Sequence, residues 1–454
     1  MRQKFPCLLK TLVVFVDIAL MATAYYGAPV LFGSGTKSAA TAVYRDMIPL
    51  LLGVTLLLFR ANGLFATLRK TYSEVALGLV MSLGNVAAGV LLLSLFLPDF
   101  NSLRFLFVTA LFTQFVVLTF WRYICWRFDQ SGMRSRTLLL LGSAAESERI
   151  VSRLALQGHL HDQVKYVCHN WSARKWEKLA EQVDVIVACA SLPLTVKAQV
   201  IAFCQRENKQ VFLVPVFYDL ICHQGFLDKI DDIPFFRPRY LQPTLEQRCL
   251  KRIFDMAFSA VALLFLSPLL LIVAAAIKWD SKGPVFYGQI RCGRDERPFM
   301  VYKFRTMRRD AEAASGPVMA SEKDPRITFV GSFLRATRLD EIPQFVNVLL
   351  GQMSIVGPRP ERPFFVENFK QELSAYTYRH RVKPGITGLA QIYGKYNTTA
   401  GDKLTYDLLY IQNMNLFTDI KIMLQTFRVL VSKQSTEGVA AKPIQEAAYR
   451  SWSN

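Results

Sequence analysis

The sequence predicts a membrane protein in three parts: a transmembrane bundle of four helices, an α/β module, and a mainly helical α/β domain with one re-entrant membrane helix. Four apolar segments open the chain, strands and helices then alternate, and a fifth apolar segment carries a serine–proline pair between basic flanks. We place the four helices in residues 1–130, the module in 136–240, the third domain in 248–435 and a tail in 436–454.

Length, hydropathy and charge limit the class of protein. The chain has 454 residues, 52% of them hydrophobic, and a formal net charge of +19. Its mean hydropathy is +0.23. A chain this long requires more than one domain. An apolar and strongly basic composition is typical of a membrane protein whose cytoplasmic face meets anionic lipid. We expect no nucleic-acid partner, because no RNP, KH or zinc-finger pattern is present.

Cysteine and histidine give no strong metal or disulfide signal. None of the eight cysteines forms a C-x-x-C pair, which favours a reducing compartment. His159 and His161, with Cys168 and His169 close by, have a spacing that could ligate a metal. Histidines in loops are the simpler interpretation.

The four apolar segments cover residues 12–32, 47–59, 75–97 and 103–126. Three reach the ~20 residues that a spanning helix needs, and the second is short enough to be tilted or re-entrant. The first lacks a small-residue cleavage site and is followed by more spans, so we do not interpret it as a cleaved signal peptide. Basic residues are concentrated before the first segment and after the second and fourth, which puts the amino terminus and everything after residue 126 in the cytoplasm, at the inner membrane.

From residue 136 the pattern becomes that of an α/β protein. Residues 137–143 indicate a buried strand and turn, a polar helix follows to about residue 157, and further strands are predicted at 183–188 and 211–215. This order is Rossmann-like. The first turn, Gly142-Ser-Ala-Ala-Glu146, has one glycine where the dinucleotide fingerprint has three. We therefore favour a structural or regulatory module over a cofactor site.

The fifth apolar segment covers residues 253–277 and contains Ser267-Pro268. Proline removes a helical hydrogen bond and clashes with the preceding turn, so we expect a bend or break there. Ser267 is placed to satisfy the freed backbone groups. Basic residues flank both ends, which predicts a re-entrant helix–break–helix: Arg248, Lys251 and Arg252 before it, Lys278 and Lys282 after it. The alternative is a proline-kinked spanning helix, which would place the following residues outside the cell.

A dense basic stretch follows in residues 291–309, interleaved with aromatic side chains. Residues 301–305 alternate as a strand does, so Lys303 and Arg305 share one face. That face could hold a diphosphate, because arginine offers a bidentate fork and lysine a point charge. Contact with lipid headgroups is the alternative.

Asp340 and Glu341 are adjacent carboxylates at a predicted helix start. Pro343 is tolerated only in a first turn, so the helix is predicted to begin near Asp340 and to end at Gly351. The plain interpretation is an N-cap followed by a favourable first-turn acid. The helix start would also favour a nearby phosphate and keep Asp340 ionised, as a nucleophile requires. Neighbouring helical positions point about 100° apart. One acid could then attack phosphorus while the other holds Mg²⁺.

Residues 251–433 resemble the catalytic domain of the bacterial sugar transferase family, the monotopic polyprenyl-phosphate phosphoglycosyl transferases. Eight motifs carry the resemblance: Lys251-Arg-Ile-Phe-Asp255, Ser267-Pro268, Gly283-Pro-Val-Phe-Tyr287, Tyr302-Lys-Phe-Arg-Thr-Met307, Asp324-Pro-Arg-Ile327, Arg338-Leu-Asp-Glu341, Met353-Ser-Ile-Val-Gly-Pro-Arg-Pro360 and Lys383-Pro-Gly-Ile-Thr-Gly-Leu389. The four spans and the α/β module resemble the large form, similar to undecaprenyl-phosphate galactose or glucose phosphotransferases, which starts exopolysaccharide, capsule or O-antigen units. This large form also suggests a homodimer.

The resemblance implies a two-step phosphosugar transfer. Asp340 attacks the sugar-proximal phosphorus of a UDP-sugar and releases UMP, and undecaprenyl phosphate then takes the phosphosugar from the aspartyl enzyme. Glu341 binds Mg²⁺. The implied substrate-binding residues are Lys303, Arg305, Arg338, Arg359 and Asp407. Two other functions stay open: a non-catalytic membrane scaffold, and a glycosyltransferase that releases UDP. No motif identifies the sugar, and we assign no function to the tail.

Overall fold

The computed structural model describes residues 4–32, 38–65, 72–96, 99–132, 136–156, 162–171, 175–222, 225–238, 241–308, 326–394, 398–431 and 450–452. The chain divides into two compact units, Met1–Val214 with Ala441–Asn454 and Pro215–Ala440. Each unit has hydrophobic clusters of its own.

Four long apolar helices form the first part of the first unit: α1 (Lys4–Phe32), α2 (Ser38–Ala61), α3 (Tyr72–Phe96) and α4 (Asp99–Gly132). Each is long and apolar enough to cross a membrane, including α2, whose apolar stretch Ala42–Ala61 exceeds the short segment predicted. They pack around one shared core of aromatic and aliphatic side chains. Phe15, Phe112 and Phe120 are about two-thirds exposed on the outer surface, as suits helices solvated by lipid.

Buried polar groups join these helices. Asp17 on α1 is fully buried and forms an ion pair with Arg122 on α4. Arg122 also donates to the carbonyl of Leu64 at 2.9 Å. The Asn62 amide donates to Ser82 Oγ at 3.0 Å. Charged groups among apolar helices are retained only when paired, so this ion pair restricts how α1 and α4 can pack.

A parallel sheet forms the rest of the first unit. Its strands are β1 (Arg136–Leu141), β2 (Asp162–Cys168), β3 (Val185–Ala188) and β4 (Gln210–Leu213), in the order β2-β1-β3-β4, and the strand Arg450–Trp452 pairs with the free edge of β2. Its helices are α5 (Ala144–Leu156), α6 (Trp176–Glu181) and α7 (Leu194–Arg206). Leu138 and Leu140 belong to a cluster with α5, and Leu139 and Leu141 to one with α6 and α7. Both faces are thus covered, which explains the continuous apolar run in β1.

The second unit begins with α8 (Phe217–Cys222), the hairpin β5 (Phe226–Ile230) and β6 (Ile233–Arg237), and the long helix α9 (Leu245–Asp280). A capping box of Thr244 and Gln247 starts α9. This helix is also long and apolar enough to cross a membrane.

The predicted break into two helices is not present, because α9 is continuous through Ser267 and Pro268. Pro268 has no N–H to donate to the carbonyl four residues earlier, which belongs to Leu264. That carbonyl accepts the Ser267 hydroxyl at 2.7 Å instead. The missing backbone bond is therefore replaced locally, and the helical path continues.

The remaining elements of the second unit follow α9 along the chain. They are the antiparallel hairpin β7 (Phe286–Cys292) and β8 (Pro298–Phe304), α10 (Phe329–Thr337), α11 (Gln344–Leu349), β9 (Ser354–Val356), α12 (Pro363–Glu372), β10 (Gly385–Thr387) parallel to β9, α13 (Leu389–Tyr393), α14 (Ala400–Gln412) and α15 (Leu416–Val431). Short 3-10 turns lie at Arg294–Glu296, Leu339–Glu341 and Ser374–Arg381. One core joins α11, β9, α12 and α14.

The ion pair in the apolar bundle leads to a stability prediction. Replacing Asp17 with Leu leaves the Arg122 charge buried and unpaired, so we expect a loss of about 3–5 kcal/mol in unfolding free energy. Thermal unfolding in detergent measures this loss. The double variant Asp17→Leu/Arg122→Met removes both charges and should recover most of the stability. A double variant as unstable as Asp17→Leu alone would contradict the assignment.

Candidate active site

Asp340 and Glu341 lie in the 3-10 turn between α10 and α11. Arg338 enters the turn with a left-handed backbone, φ 59°. The α-helix itself starts at Gln344, later than predicted, because Pro343 cannot donate and the turn is closed by three-residue bonds such as Glu341 N to Arg338 O at 3.2 Å. The predicted end is confirmed, since Gly351 has the left-handed φ of +84° that terminates helices.

Glu341 is held by two cations from different elements. Its Oε1 accepts Lys303 Nζ from β8 at 2.6 Å and Arg359 from the loop after β9 at 3.0 Å. Burial opposes ionisation of Glu341, but Arg359 and Lys303 together outweigh it and hold its pKa below the usual range. Burial also lowers the pKa of Lys303, and the Glu341 charge partly restores it. Glu341 is therefore a fixed anion between two bound cations.

Asp340 has the opposite electrostatic environment. Its side chain is buried, and within the described part of the chain its Oδ1 has no hydrogen-bond partner. Burial raises its pKa and the adjacent Glu341 charge raises it further, against the pull of Lys303 and Arg335. The helix begins four residues after Asp340, so the predicted stabilisation of this carboxylate by a helix start is not present, and desolvation raises its pKa.

The backbone of the loop Pro358-Arg359-Pro360 is held by two arginine side chains. Arg379 donates to the Arg359 carbonyl at 2.9 Å, and Arg291 donates to the Pro360 carbonyl at 3.1 Å. Because both bonds hold backbone, the Arg359 side chain is left to reach Glu341.

Asp407 lies behind this loop rather than beside Asp340. It is 2% exposed and binds Arg379 at 2.9 Å. Burial raises its pKa to about 6, although the Arg379 charge pulls it down. Asp407 reaches the site only through Arg379 and the backbone of Arg359. This arrangement lets Asp407 position the Arg359 loop, and its contact with substrate stays a prediction.

Arg305 is turned away from Lys303. Its guanidinium donates to the carbonyls of Lys282 at 3.0 Å and Ser281 at 2.8 Å, directly after α9. A side chain at Gly283 would meet this guanidinium, since a Cβ there would lie 1.9 Å from it. Alternation along β8 predicted a shared phosphate-binding face, but the unpaired carbonyls after a helix end compete for the same donors. The other predicted ligand, Arg338, is exposed. Its positive charge opposes the rise in the pKa of Asp340 and contributes to the lowered pKa of Glu341.

Sequence reasoning missed Asn347 and Arg379. Asn347 is fully buried on α11, donates to Met300 O at 2.6 Å and accepts from Tyr302 N at 3.0 Å. It thus ties α11 to the strand that carries Lys303. An asparagine inside an apolar helical run is the signal that could have identified it. No comparable signal distinguishes Arg379 from its basic neighbours.

The carboxylate pair fits Mg²⁺ only in part. Nowhere in the described residues do three or more His, Cys, Asp or Glu side chains form a metal-binding group. The unpartnered Oδ1 of Asp340 and the Glu341 carboxylate are suitable oxygen ligands. Mg²⁺ usually takes one or two carboxylates and completes its shell with water and substrate phosphate. Of the histidines with a metal-ligating spacing, His159 and His161 lie outside the described residues, and His169 Nδ1 contacts the Gly142 carbonyl at 3.0 Å.

In the first unit, the turn after β1 contains an acid of its own. The Glu146 carboxylate accepts the Ser191 N–H at 3.1 Å and the Ser143 hydroxyl at 3.4 Å. A Cβ on Gly142 would lie 2.4 Å from the Cβ of Cys189, so this glycine is needed for strand packing. An anion such as a pyrophosphate would meet the Glu146 charge in this turn, which favours a structural role.

His380 is buried beside the Pro358-Arg359-Pro360 loop. Burial and the neighbouring Arg379 charge lower its pKa to about 4, while Glu296, 3.7 Å from its Nδ1, has the opposite effect. Lys370, which binds Glu296, lowers the pKa further. His380 is thus neutral at physiological pH.

The second unit matches a known family. Residues 246–433 match the sequence model described as bacterial sugar transferase. The chain is 44% identical over 191 residues, 41% of each chain, to a UDP-glucose:undecaprenyl-phosphate glucose-1-phosphate transferase of Klebsiella pneumoniae. A protein of the same name from Escherichia coli (strain K12) is 41% identical over 230 residues, 49% of each chain. The exopolysaccharide production protein PSS of Rhizobium leguminosarum bv. phaseoli is 43% identical over 185 residues, 39% of this chain and 92% of that protein. The chain spans about half the length of the first two.

The low pKa of His380 predicts acid sensitivity. In the unfolded chain this histidine becomes protonated as the pH falls below about 6.5. In the folded protein it becomes protonated only as the pH approaches about 4. Acidification through this window should therefore remove stability, up to about 3 kcal/mol. Chemical unfolding of wild type and His380→Phe at pH 7 and at pH 4.5 tests this. We expect the variant to lose less stability on acidification, and an equal loss would contradict the assignment.

Proposed function

Because the chain belongs to the bacterial sugar transferase family, we propose that it transfers a sugar-1-phosphate from a UDP-sugar to undecaprenyl phosphate and releases UMP. The observation that carries the proposal is the buried Asp340, with an unpartnered carboxylate oxygen, next to a Glu341 held by two cations. The relatives named as UDP-glucose:undecaprenyl-phosphate glucose-1-phosphate transferases support the choice of donor and acceptor class.

In the first step Asp340 attacks the phosphorus next to the sugar. A bond forms between the carboxylate oxygen and phosphorus, and the bond to the UMP oxygen breaks, so UMP leaves with the electron pair. Asp340 must be ionised to attack, and the raised pKa makes it a stronger nucleophile once its proton is lost. In the second step an oxygen of undecaprenyl phosphate attacks the same phosphorus and releases Asp340.

The cations around Glu341 define where phosphate binds. Lys303 and Arg359 both bind Glu341 Oε1, which fixes their positions before substrate binds. Their remaining N–H groups are therefore preorganised donors for phosphate oxygens. Arg338, exposed at the entrance of the turn, adds positive charge for the approach of a diphosphate. Arg379 and Asp407 hold the Arg359 backbone in place.

Magnesium, when bound, supplies charge that neutralises the phosphate oxygens as UMP leaves. Glu341 would hold it through the oxygen that is not bound to Lys303 and Arg359, with the substrate phosphates as further ligands.

We also propose how the chain meets its lipid substrate. The four N-terminal helices form a transmembrane bundle in the inner membrane, the Rossmann-like module is structural, and the chain forms a homodimer. Both ends of α9 are basic, which favours the cytoplasmic side for both; because the helix is continuous, this course would require it to bend within the membrane at Pro268. This course would keep Asp340 in the cytoplasm, where UDP-sugars are found, and at the level of the lipid phosphate.

Nucleotide release tests the proposal directly. Purified protein in nanodiscs, given a panel of UDP-sugars with Mg²⁺ and undecaprenyl phosphate, should release UMP with one sugar. Asp340→Asn should lose turnover by about 10³-fold or more, because it removes the nucleophile. Intact-mass measurement without acceptor should show a phosphosugar adduct on wild type that is absent from Asp340→Asn.

The matched control is Asp295→Asn, an exposed aspartate with a left-handed backbone that asparagine tolerates equally well. It should retain activity. Release of UDP would instead indicate ordinary glycosyl transfer, and release of neither nucleotide by folded protein would favour a scaffold.

Glu341→Gln tests the metal and the cation cluster together. The neutral amide leaves Lys303 and Arg359 uncompensated and weakens any Mg²⁺ ligand, so we expect turnover to fall by about 10²-fold and the Mg²⁺ concentration for half-maximal rate to rise. Rates measured across a Mg²⁺ titration provide the comparison. Glu367→Gln, 68% exposed on α12, is the control. An unchanged Mg²⁺ dependence would remove Glu341 from the metal site.

A further inference from the structure

A basic cavity lies beside the first turns of α9. Its volume is about 450 Å³. Six cationic side chains contribute to its wall: Arg248, Lys251, Arg252, Arg294, Arg381 and Lys383. None of Asp340, Glu341, Lys303 and Arg359 lines it. The cavity is therefore separate from the proposed transfer site.

Positive charge in this cavity exceeds what the protein neutralises. Its wall includes one carboxylate, Asp255, which is 3% exposed and accepts the Ile355 N–H at 3.3 Å. Lys251 binds Asp419 at 2.6 Å. In the described part of the chain, no carboxylate lies within ion-pair distance of Arg248 or Lys383. An anionic ligand would supply the missing negative charge.

The cations are also held close together. Arg252 donates to the carbonyls of Val348 at 2.6 Å and Leu349 at 2.8 Å, at the end of α11. Burial lowers the pKa of Lys383, the Arg252 and Arg294 charges lower it further, and Asp255 has the opposite effect. Repulsion within the cluster is thus present before any ligand binds, and a phosphate would relieve it.

One side of the cavity continues into an apolar surface. Ile253 lines the cavity and is 62% exposed. Ala257, Ala260 and Leu264 follow at helical spacing and are exposed on the same face of α9. A hydrocarbon chain attached to a phosphate in the cavity could lie along this stripe, whereas a free phosphate or a nucleotide would not use it.

We propose that this cavity binds the headgroup phosphate of an anionic glycerophospholipid, whose acyl chains follow the exposed apolar face of α9. Basic pockets beside membrane helices favour anionic headgroups through charge, and burial of the acyl chains adds apolar contact. The bound lipid would hold the start of α9 at the membrane surface. This site does not depend on the transfer reaction.

The test measures binding to the full-length protein in amphipol by titration calorimetry. The probes are dihexanoyl phosphatidylglycerol, its zwitterionic counterpart dihexanoyl phosphatidylcholine, glycerol-3-phosphate without acyl chains, and farnesyl phosphate. We expect the phosphatidylglycerol to bind most tightly. Arg248→Gln/Lys383→Gln should weaken it by about tenfold or more, since two charged donors are lost.

The matched control is Lys278→Gln/Lys282→Gln, which removes the same charge from two exposed positions, one in the last turn of α9 and one just after it. It should leave the affinity within about twofold, the size of a remote charge effect. The variant Arg248→Lys/Lys383→Arg retains both charges and should retain binding, which separates loss of the site from loss of folding.

Three outcomes would overturn the proposal. Equal weakening by the two glutamine variants would indicate a general charge effect. Equal affinity for glycerol-3-phosphate would indicate a site for a free phosphate. Tight binding of farnesyl phosphate alone would indicate a prenyl phosphate rather than a phospholipid. Because none of these measurements requires turnover, their outcome is independent of whether the protein is a transferase.

Discussion

The carboxylate of Glu341, shared between Lys303 and Arg359, is the contact on which the candidate site depends. Lys303 comes from the β7–β8 hairpin, Glu341 from the turn before α11, and Arg359 from the loop after β9. Without the two cations, burial would raise the pKa of the carboxylate, and without the carboxylate two neighbouring cations would repel each other. The site is therefore assembled as one electrostatic unit, and its three contributing segments must pack together for any of its charges to be tolerated.

The two adjacent acids have pKa values that shift in opposite directions. Burial acts on both, but Glu341 faces the cations directly and Asp340 faces them only at longer range, with Glu341 as an added negative neighbour. Pairs of acids whose environments separate their pKa values are typical of sites in which the two groups have different roles. A permanently charged Glu341 suits a ligand for cations, and an Asp340 with an unpartnered oxygen suits a group that forms a bond to substrate.

Helix α9, which is long and apolar enough to cross a membrane, packs against α11 beside this site. Its end is held by Arg305, its start lies beside the basic cavity, and the carbonyl freed by Pro268 is paired with Ser267. The substitution of one hydrogen bond by another explains how a proline is accommodated within an apolar helix of 36 residues. Arg252 links the same helix to the end of α11, which follows the turn that carries Asp340. Helix α11 therefore links α9 to the turn that carries the two carboxylates.

The sequence alone determined the features that depend on local patterns. Apolar length predicted three of the four long N-terminal helices and underestimated α2. The order of apolar strands and helices predicted the α/β module, and Gly351 marked the end of α11. The adjacent acids and the Pro358-Arg-Pro360 motif identified the candidate site, because a motif preserves residue identity even where its geometry is unknown.

Only the tertiary structure decided which charges meet. Lys303 and Arg305 are equivalent by strand alternation, yet one binds Glu341 and the other binds carbonyls after α9, because the choice depends on which acceptor packs nearby. Asp407, for which the family resemblance implies a substrate role, is joined to Arg359 through Arg379, a link that no local pattern indicated. Burial, which raises the pKa of Asp340, depends on distant segments closing over it. Such long-range packing leaves no trace in local periodicity, and for that reason the identity of the acids could be predicted while their pKa shifts and partners could not.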